Sequence, residues 1–295
     1  MIQNIRGYSP IVEIPSARTQ YLSEGFVQGP KLVSDSDLQR YNAAFDAVMQ
    51  GEWETGKPPR DEWWEIGDDA AKKLRKIDQP HVSDRTLHDA VCHSGIAQWT
   101  ANIIGAKKLR AFAVQLLHKP PGGDPSAQIG WHHDFRYWGP WFEPDTCEAF
   151  TIWVALSDVH RDSGPMCFVR GSHQWELGVG GDFSDEIDGK EHERYNVPED
   201  AKWDEVPDVM PAGAFSLHHQ FLFHGSRPNT SDSARRSLAI HVCTQRAVPK
   251  PGVHAEYDYA AKMSDPWECP TIYCDDSFDR VNAINRVSDN SISNS

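Results

Sequence analysis

The chain has 295 residues, with 29 Lys and Arg against 43 Asp and Glu, which gives a formal net charge of −14. A charge of this sign repels phosphate backbones and anionic lipids, so it argues against nucleic-acid and membrane-surface partners. No apolar run approaches the roughly 20 residues that span a bilayer, and no secretory signal is readable. Because the six cysteines form no C-x-x-C pair, we expect reduced thiols and a cytoplasmic protein.

The N-terminal third of the chain predicts helices joined by loops. Residues 35–49 carry apolar side chains at helical spacing, after a possible N-cap at Ser34 or Ser36. Residues 86–104 show the same spacing and predict a second long helix. The segment between them, 51–80, is rich in Trp, Pro and charge, and predicts a long surface or active-site loop.

From Leu109 onward the chain changes to short apolar runs between Gly- and Pro-rich turns. The runs that predict strands are 111–117, 150–156, 166–169, 214–217, 221–223 and 237–244. Short strands of this kind predict a mainly β fold with flanking helices, a sandwich or barrel of the jelly-roll type. A long polar and acidic insertion, 178–208, interrupts them.

The most informative segment is 130–134, which reads Gly-Trp-His-His-Asp. In an extended strand, side chains two residues apart lie on the same face, so His132 and Asp134 are expected to project together. An imidazole and a carboxylate side by side are two of the three ligands of a facial triad. The third ligand must be a distant histidine, and His224 is the natural candidate.

Other histidines compete for these positions. His133 could be a ligand in place of its neighbour, and His218 or His219 could replace His224. A facial triad leaves open positions on the metal, which a chelating co-substrate such as 2-oxoglutarate and dioxygen could take.

Such a co-substrate also needs a cation for its far carboxylate, which a guanidinium binds in bidentate fashion. Arg235 and Arg236 begin the predicted strand 237–244. Strand alternation places them on opposite faces, and Arg236 shares its face with Leu238 and Ile240. Both arginines could also be solvated at the end of the strand.

Together these residues resemble the phytanoyl-CoA dioxygenase family of iron(II)- and 2-oxoglutarate-dependent oxygenases. The matching blocks, in order, are 115–122 (QLLHKPPG), 131–134 (WHHD), 153–156 (WVAL), 171–173 (GSH) and 224–229 (HGSRPN). Arg235 follows His224 by eleven positions, where the family places its 2-oxoglutarate arginine.

The resemblance implies a double-stranded β-helix, the cupin-like jelly roll, and a specific role for each matching residue. His132, Asp134 and His224 match the iron ligands, and Arg235 matches the residue that pairs with the C5 carboxylate of 2-oxoglutarate. The positions that match the lining of the same co-substrate are those of Ser226, Trp153, Gln115 and, in a looser alignment, Lys76. The implied reaction consumes dioxygen, releases succinate and CO2, and usually hydroxylates a C–H bond.

We expect a single domain with three segments. Residues 1–110 form a mostly helical N-terminal extension packed on the core, 111–250 form the double-stranded β-helix, and 251–295 form a C-terminal segment whose last residues are disordered. The sequence does not predict the oligomeric state.

Aromatic residues are dense after the H-x-D triplet, and they could line a substrate pocket or simply pack the loop. They are Phe135, Tyr137, Trp138, Trp141 and Phe142. No clustered basic surface suits the phosphates of coenzyme A, so a small metabolite or natural-product intermediate is the expected substrate. The competing functions are a non-redox, cupin-type metal enzyme and a non-catalytic binding protein on the same scaffold.

Overall fold

Two antiparallel β-sheets form the body of the protein, and four helices pack on the outer face of the larger sheet. The computed structural model describes residues 13–62, 74–176, 181–195, 197–251, 262–275 and 277. The helices of this part are α1 (Ile14–Glu24), α2 (Asp35–Met49), α3 (Arg85–Val91), α4 (Ser94–Ile104), α5 (Phe135–Trp138) and α6 (Glu191–Arg194). The strands are β1 (Phe26–Gly29), β2 (Asp61–Glu62), β3 (Arg75–Asp78), β4 (Lys108–Lys119), β5 (Ile129–His132), β6 (Ala149–Ala155), β7 (Cys167–Val169), β8 (Glu205–Pro207), β9 (Phe215–His219), β10 (His224–Ser226), β11 (Arg235–Thr244) and β12 (Thr271–Cys274).

The strand order is that of a jelly roll. The larger sheet has eight strands in the order β1-β9-β6-β11-β4-β3-β2, with β12 also paired to β4, and the smaller sheet has the order β5-β10-β7-β8. Between β4 and β11 the chain changes sheet at every connection except that from β7 to β8. Strands that are far apart in sequence therefore become neighbours, and the inner faces of the two sheets oppose each other.

Helix α2 has the bounds that the sequence predicts. The Ser34 hydroxyl accepts a hydrogen bond from the Asp37 backbone N–H at 3.1 Å, which satisfies one of the free donors of the first turn. Tyr41 and Phe45, one turn apart, belong to the same hydrophobic cluster as Leu238 on the outer face of β11. Burial of this face anchors the helix on the sheet.

The single helix predicted over residues 86–104 is wrong, because the structure has two helices, α3 and α4, with a break at Cys92 and His93. Nδ1 of His93 accepts a hydrogen bond from the Ile96 backbone N–H at 3.3 Å and so caps a new helix start. Apolar spacing continues across the break, so it does not reveal the cap. Helix α4 ends at Gly105, whose φ of 76° favours glycine.

The strand predicted at residues 221–223 is also wrong. The Leu222 backbone N–H donates to the carbonyl of His219 at 2.9 Å, so the chain turns here, and β10 begins at His224. Leu222 is fully buried in the cluster between the sheets, which explains why an apolar run occurs in a turn.

The segments on either side of the central strands join the same sheet. The N-terminal segment holds helices α1 to α4 and also contributes β1, β2 and β3, while β12 from the C-terminal segment pairs with β4. The division into an extension, a core and a C-terminal segment remains a prediction, and the predicted disorder of the last residues lies outside the described residues. Among those described, no helix combines the length and apolar character needed to cross a membrane.

Candidate active site

A cavity of about 480 Å³ lies between the two sheets. One wall comes from the inner faces of β3, β4, β6, β9 and β11 in the larger sheet, and β5 and β10 of the smaller sheet contribute the other. All eight residues that the sequence singles out line it: Lys76, Gln115, His132, Asp134, Trp153, His224, Ser226 and Arg235.

Strand pairing brings the two predicted histidine ligands together. His132 is the last residue of β5 and His224 the first of β10, and the two are direct partners in the ladder. Oδ1 of Asp134 lies 3.9 Å from Nε2 of His132 and 3.6 Å from Nε2 of His224. One donor atom from each of the three residues lies within 4.8 Å of the others, and all three are buried. This is the only cluster of the kind in the part of the chain that the structure describes.

The backbone fixes which ring nitrogen each histidine presents. Nδ1 of His132 lies 2.8 Å from the carbonyl of Gly130, and Nδ1 of His224 lies 3.0 Å from that of Leu222. A carbonyl only accepts, so each Nδ1 carries the proton and each Nε2 keeps its lone pair. Burial lowers the pKa of both imidazoles, which keeps them neutral and able to bind a metal.

The geometry of Asp134 corrects the expectation from strand alternation. Strand β5 ends at His132, and Asp134 has helical dihedral angles (φ −63°, ψ −34°) at the start of α5. The two side chains therefore converge because the chain turns. His133 still points elsewhere, against the rings of Phe221 and Phe223.

Asp134 is held by a buried hydrogen-bond network that the sequence did not reveal. Its Oδ2 accepts from the Thr151 hydroxyl at 2.7 Å and lies 3.2 Å from Nε2 of His218. Burial opposes the charged carboxylate, but the hydrogen bond that His218 donates favours it, and the pKa of Asp134 lies well below its ordinary value. Oδ1 is thus left free and negatively charged for a metal.

The alternative histidine ligands fall outside the cluster. His218 contacts the carboxylate oxygen that faces away from the other two ligands and so supports Asp134. Nδ1 of His133 accepts from the Arg136 backbone N–H at 3.3 Å, and Nδ1 of His219 accepts from that of Phe221 at 3.2 Å. The geometry therefore favours His224 as the third ligand.

The two arginines at the start of β11 lie on opposite faces, as alternation predicts. Arg235 is only 1% exposed and lines the cavity. Arg236 points to the helices, where its guanidinium pairs with Asp46 at 2.6 Å and lies over the ring of Phe45.

Arg235 has few partners for a buried cation. Its Nη1 donates to the carbonyl of Gly164 at 2.6 Å, and its guanidinium lies 5.4 Å from the ring of Trp153. Its Nε has no hydrogen-bond partner among the described residues. Burial lowers the pKa of Arg235 to about 10, so the group stays charged, and an anion in the cavity would satisfy it.

Lys119 is a second buried basic side chain beside Arg235, and no sequence pattern assigns it a role. Burial, and then the charge of Arg235, hold the pKa of Lys119 well below its ordinary value. It is 0% exposed and is the partner of Arg235 in the β4–β11 ladder. Its Nζ donates to the Ser226 hydroxyl at 2.6 Å and to the backbone carbonyls of Ser226 and Arg227. Because the Ser226 oxygen accepts from Lys119, its own proton is directed to another acceptor in the cavity.

The polar wall of the cavity continues onto β3 and β4. Gln115 lies opposite Asp78 in the ladder, and Lys76 lies opposite Leu117. Nζ of Lys76 is 3.1 Å from Oδ2 of Asp78, and both side chains are largely buried. Within the loop predicted over residues 51–80, residues 75–78 instead form strand β3, which contributes Lys76 and Asp78 to the cavity, and residues 63–73 lie outside the described part of the chain.

Only part of the aromatic segment lines the cavity. Tyr137, Trp138 and Trp141 do so, whereas Phe142 is fully buried against the ring of Phe112 and Phe135 packs against the ring of Phe221. Phe183, from the polar insertion, also lines the cavity, and its backbone N–H donates to the Tyr137 hydroxyl at 3.0 Å. A single aromatic residue in an acidic stretch of sequence does not indicate that Phe183 lines the cavity.

The residues present fit an iron ion and a dicarboxylate co-substrate. Two neutral nitrogens and one carboxylate oxygen form a donor set with a negative charge, which a divalent cation neutralises. The incompletely paired guanidinium of Arg235 lies in the same cavity and fits a carboxylate.

Comparison with known proteins supports this arrangement. The phytanoyl-CoA dioxygenase family model matches residues 21–237. A probable alpha-ketoglutarate-dependent hypophosphite dioxygenase of Stutzerimonas stutzeri is 27% identical over 203 residues, 66% of each chain. The peroxisomal phytanoyl-CoA dioxygenase of Mus musculus is 26% identical over 242 residues, 76% of this chain and 66% of the relative. The chain thus spans about two thirds of the length of these relatives.

Solved structures share the fold. The non-heme alpha-ketoglutarate-dependent carbocyclase SnoK from nogalamycin biosynthesis superposes with a TM-score of 0.63 at 23% identity, covering 84% of this chain and 91% of that one. EctD from S. alaskensis superposes with a TM-score of 0.64 at 18% identity, covering 85% of both chains. The double-stranded β-helix predicted from the sequence is confirmed. Since the family model covers most of the chain, the protein belongs to the phytanoyl-CoA dioxygenase family.

Proposed function

We propose that the protein is an iron(II)- and 2-oxoglutarate-dependent dioxygenase that hydroxylates or otherwise oxidises a small molecule and releases succinate and CO2. One observation carries the proposal: a buried facial triad and a buried, incompletely paired arginine share one cavity. The relatives in Stutzerimonas stutzeri and Mus musculus are named as dioxygenases, the first as alpha-ketoglutarate-dependent, which agrees with the enzyme class and the co-substrate that the sequence predicts.

Each lining residue has a defined task in this proposal. Nε2 of His132, Nε2 of His224 and Oδ1 of Asp134 hold the iron. When bound, iron(II) and 2-oxoglutarate supply the oxidising chemistry, in which dioxygen is consumed and 2-oxoglutarate becomes succinate and CO2. Arg235 and the Ser226 hydroxyl bind the C5 carboxylate of the co-substrate.

Three further residues shape the co-substrate end of the cavity. Trp153 packs flat apolar surface beside the Arg235 guanidinium. Gln115 and Lys76 offer an amide and an ammonium on the neighbouring strands. We propose that both contact 2-oxoglutarate, and that Asp78 limits the net positive charge at Lys76.

The competing functions fit the cavity less well. A non-redox metal enzyme would use the triad but would have no need for Arg235, whose burial costs free energy unless a ligand compensates it. A binding protein without catalysis would not need three metal donors with fixed tautomers.

The substrate is proposed to be a small metabolite or natural-product intermediate with a substantial apolar part. A cavity of about 480 Å³ exceeds the needs of 2-oxoglutarate, and Tyr137, Trp138, Trp141 and Phe183 line it. We propose no nucleic-acid partner because the charge of −14 opposes one. A cytoplasmic location is proposed because the six cysteines are present as thiols rather than as disulfides.

The test is succinate formation from 2-oxoglutarate in the presence of iron(II), ascorbate and dioxygen. Wild-type protein is expected to form succinate even without primary substrate, and the His132→Ala, Asp134→Ala and His224→Ala variants are expected to form none. Arg236→Gln is the control, because that side chain points away from the cavity. Succinate formation that persists in all three triad variants, or its absence from wild-type protein with bound iron, would reject the proposal.

A further inference from the structure

His241 lies at the centre of the cavity wall and has no part in the triad. It is on the inner face of β11, opposite Thr151 on β6 and Ala113 on β4. The side chain lines the cavity although the residue is only 5% exposed. Its ring centroid lies 4.6 Å from that of Trp138, which lines the same cavity.

The hydrogen bonds around Thr151 fix the tautomer of His241. The Thr151 hydroxyl has one proton, and it donates that proton to Oδ2 of Asp134, since an ionised carboxylate only accepts. Nδ1 of His241 lies 2.9 Å from the same hydroxyl oxygen. The hydroxyl has no second proton to give, so Nδ1 of His241 must be the donor.

The other ring nitrogen is therefore an acceptor. Burial lowers the pKa of His241 to about 4, so the ring is neutral and Nε2 has no proton. Nδ1 is engaged by Thr151 on β6, and the neighbour of His241 on the other side, on β4, is the small residue Ala113. Both His241 and Ala113 line the cavity, and no hydrogen bond to Nε2 of His241 is present among the described residues.

We propose that His241 binds the primary substrate by accepting a hydrogen bond at Nε2. This proposal rests on the proposed function, which identifies the cavity as the substrate site. The substrate class is a molecule with a hydroxyl or N–H donor beside a flat apolar group. The donor meets Nε2, and the flat group packs on the ring of Trp138 beside His241, with Tyr137 also lining the cavity. A substrate that presents only carboxylate oxygens at this point would face a lone pair and is disfavoured.

Two isomeric probes test the proposal without turnover. 3-Methylindole has an N–H donor, whereas its isomer 1-methylindole has a similar size and shape but no hydrogen-bond donor. Their binding to protein loaded with zinc(II) and 2-oxoglutarate can be measured by ligand-observed NMR. A net hydrogen bond contributes on the order of 0.5–1.5 kcal/mol, so wild-type protein should prefer 3-methylindole by roughly two- to tenfold.

Two variants separate the two ring nitrogens. His241→Asn keeps a donor near the position of Nδ1 and removes the acceptor, while His241→Gln places an acceptor near the position of Nε2. The preference for 3-methylindole should disappear in His241→Asn and persist in His241→Gln. The reverse pattern, or equal binding of the two isomers to wild-type protein, would overturn the proposal.

The tautomer itself is measurable by 15N NMR of histidine-labelled protein in the same zinc-loaded state. We expect a protonated Nδ1 and an unprotonated Nε2 at His241, with the Nε2 resonance moving when 3-methylindole is added. A protonated Nε2 would overturn the inference. Because these readouts need no succinate, their failure is distinguishable from failure of the proposed dioxygenase activity.

Discussion

Replacement of Arg235 by Gln should weaken binding of 2-oxoglutarate and leave the iron site intact. The guanidinium is 1% exposed, so solvent does not screen its pairing with a carboxylate. A hydrogen bond to a charged group contributes about 1.5–3 kcal/mol. We therefore expect a loss of about 2 kcal/mol, near the middle of this range, or roughly a 30-fold rise in Kd.

The neighbouring Arg236→Gln variant is the matched control. It makes the same chemical change one residue away, but on the face that packs against α2, where the side chain pairs with Asp46. This partly exposed pair should contribute at most about 1 kcal/mol to stability and nothing to co-substrate binding.

The assay is anaerobic titration of 2-oxoglutarate into iron(II)-loaded protein, supported by KM values from succinate formation. Thermal unfolding of both variants shows whether either change acts through the fold. If Arg236→Gln weakened 2-oxoglutarate binding and Arg235→Gln did not, the assignment of the co-substrate to this end of the cavity would be refuted.

Two further variants test the surroundings of the site, and a third tests a buried histidine outside the cavity. Thr151→Val removes the hydroxyl that donates to Asp134, and it should weaken iron(II) binding roughly 10- to 100-fold, as measured by metal titration. An unchanged iron affinity would show that this hydrogen bond does not contribute to metal binding. Lys119→Met leaves the Ser226 oxygens without their donor. It should raise the Kd of 2-oxoglutarate roughly three- to tenfold and lower the free energy of unfolding in urea by about 1–3 kcal/mol. A loss of stability with an unchanged Kd would show that Lys119 has only a structural role. Burial lowers the pKa of His81 in the folded protein to about 4, whereas the value in the unfolded chain is near 6.5. Between these two pH values the unfolded chain binds a proton that the folded protein does not, so the free energy of unfolding falls as the pH drops from 6.5 toward 4. His81→Gln should make the loss of stability between pH 7.5 and 5.5 smaller by about 1 kcal/mol, and an unchanged pH dependence would contradict this origin.

Sequence patterns were sufficient where one residue and its near neighbours decide the outcome. Helix α2 follows from its apolar spacing and the cap at Ser34. The opposite directions of Arg235 and Arg236 follow from strand alternation, because β11 is regular at that point. His132 and Asp134 lie close together, as the triplet predicts, although a turn rather than a strand brings their side chains together.

The parts of the site that the sequence did not predict depend on contacts between distant strands. Thr151, His218 and His241 meet around Asp134 only because β9, β6 and β11 are adjacent in the sheet. Nothing in the residues around Lys119 indicates that a lysine there is fully buried, because its three acceptors belong to Ser226 and Arg227, more than 100 residues later in the chain.

We propose that the site formed by His132, Asp134 and His224 uses dioxygen to convert 2-oxoglutarate to succinate. The most direct measurement is mass spectrometry of succinate formed by the iron(II)-loaded protein under 18O-labelled dioxygen. We expect succinate with one labelled oxygen in the carboxylate that forms from C2 of 2-oxoglutarate. We expect no such product from Asp134→Ala. Succinate without label, after exchange with water has been excluded, or labelled succinate from Asp134→Ala at the wild-type rate, would contradict it.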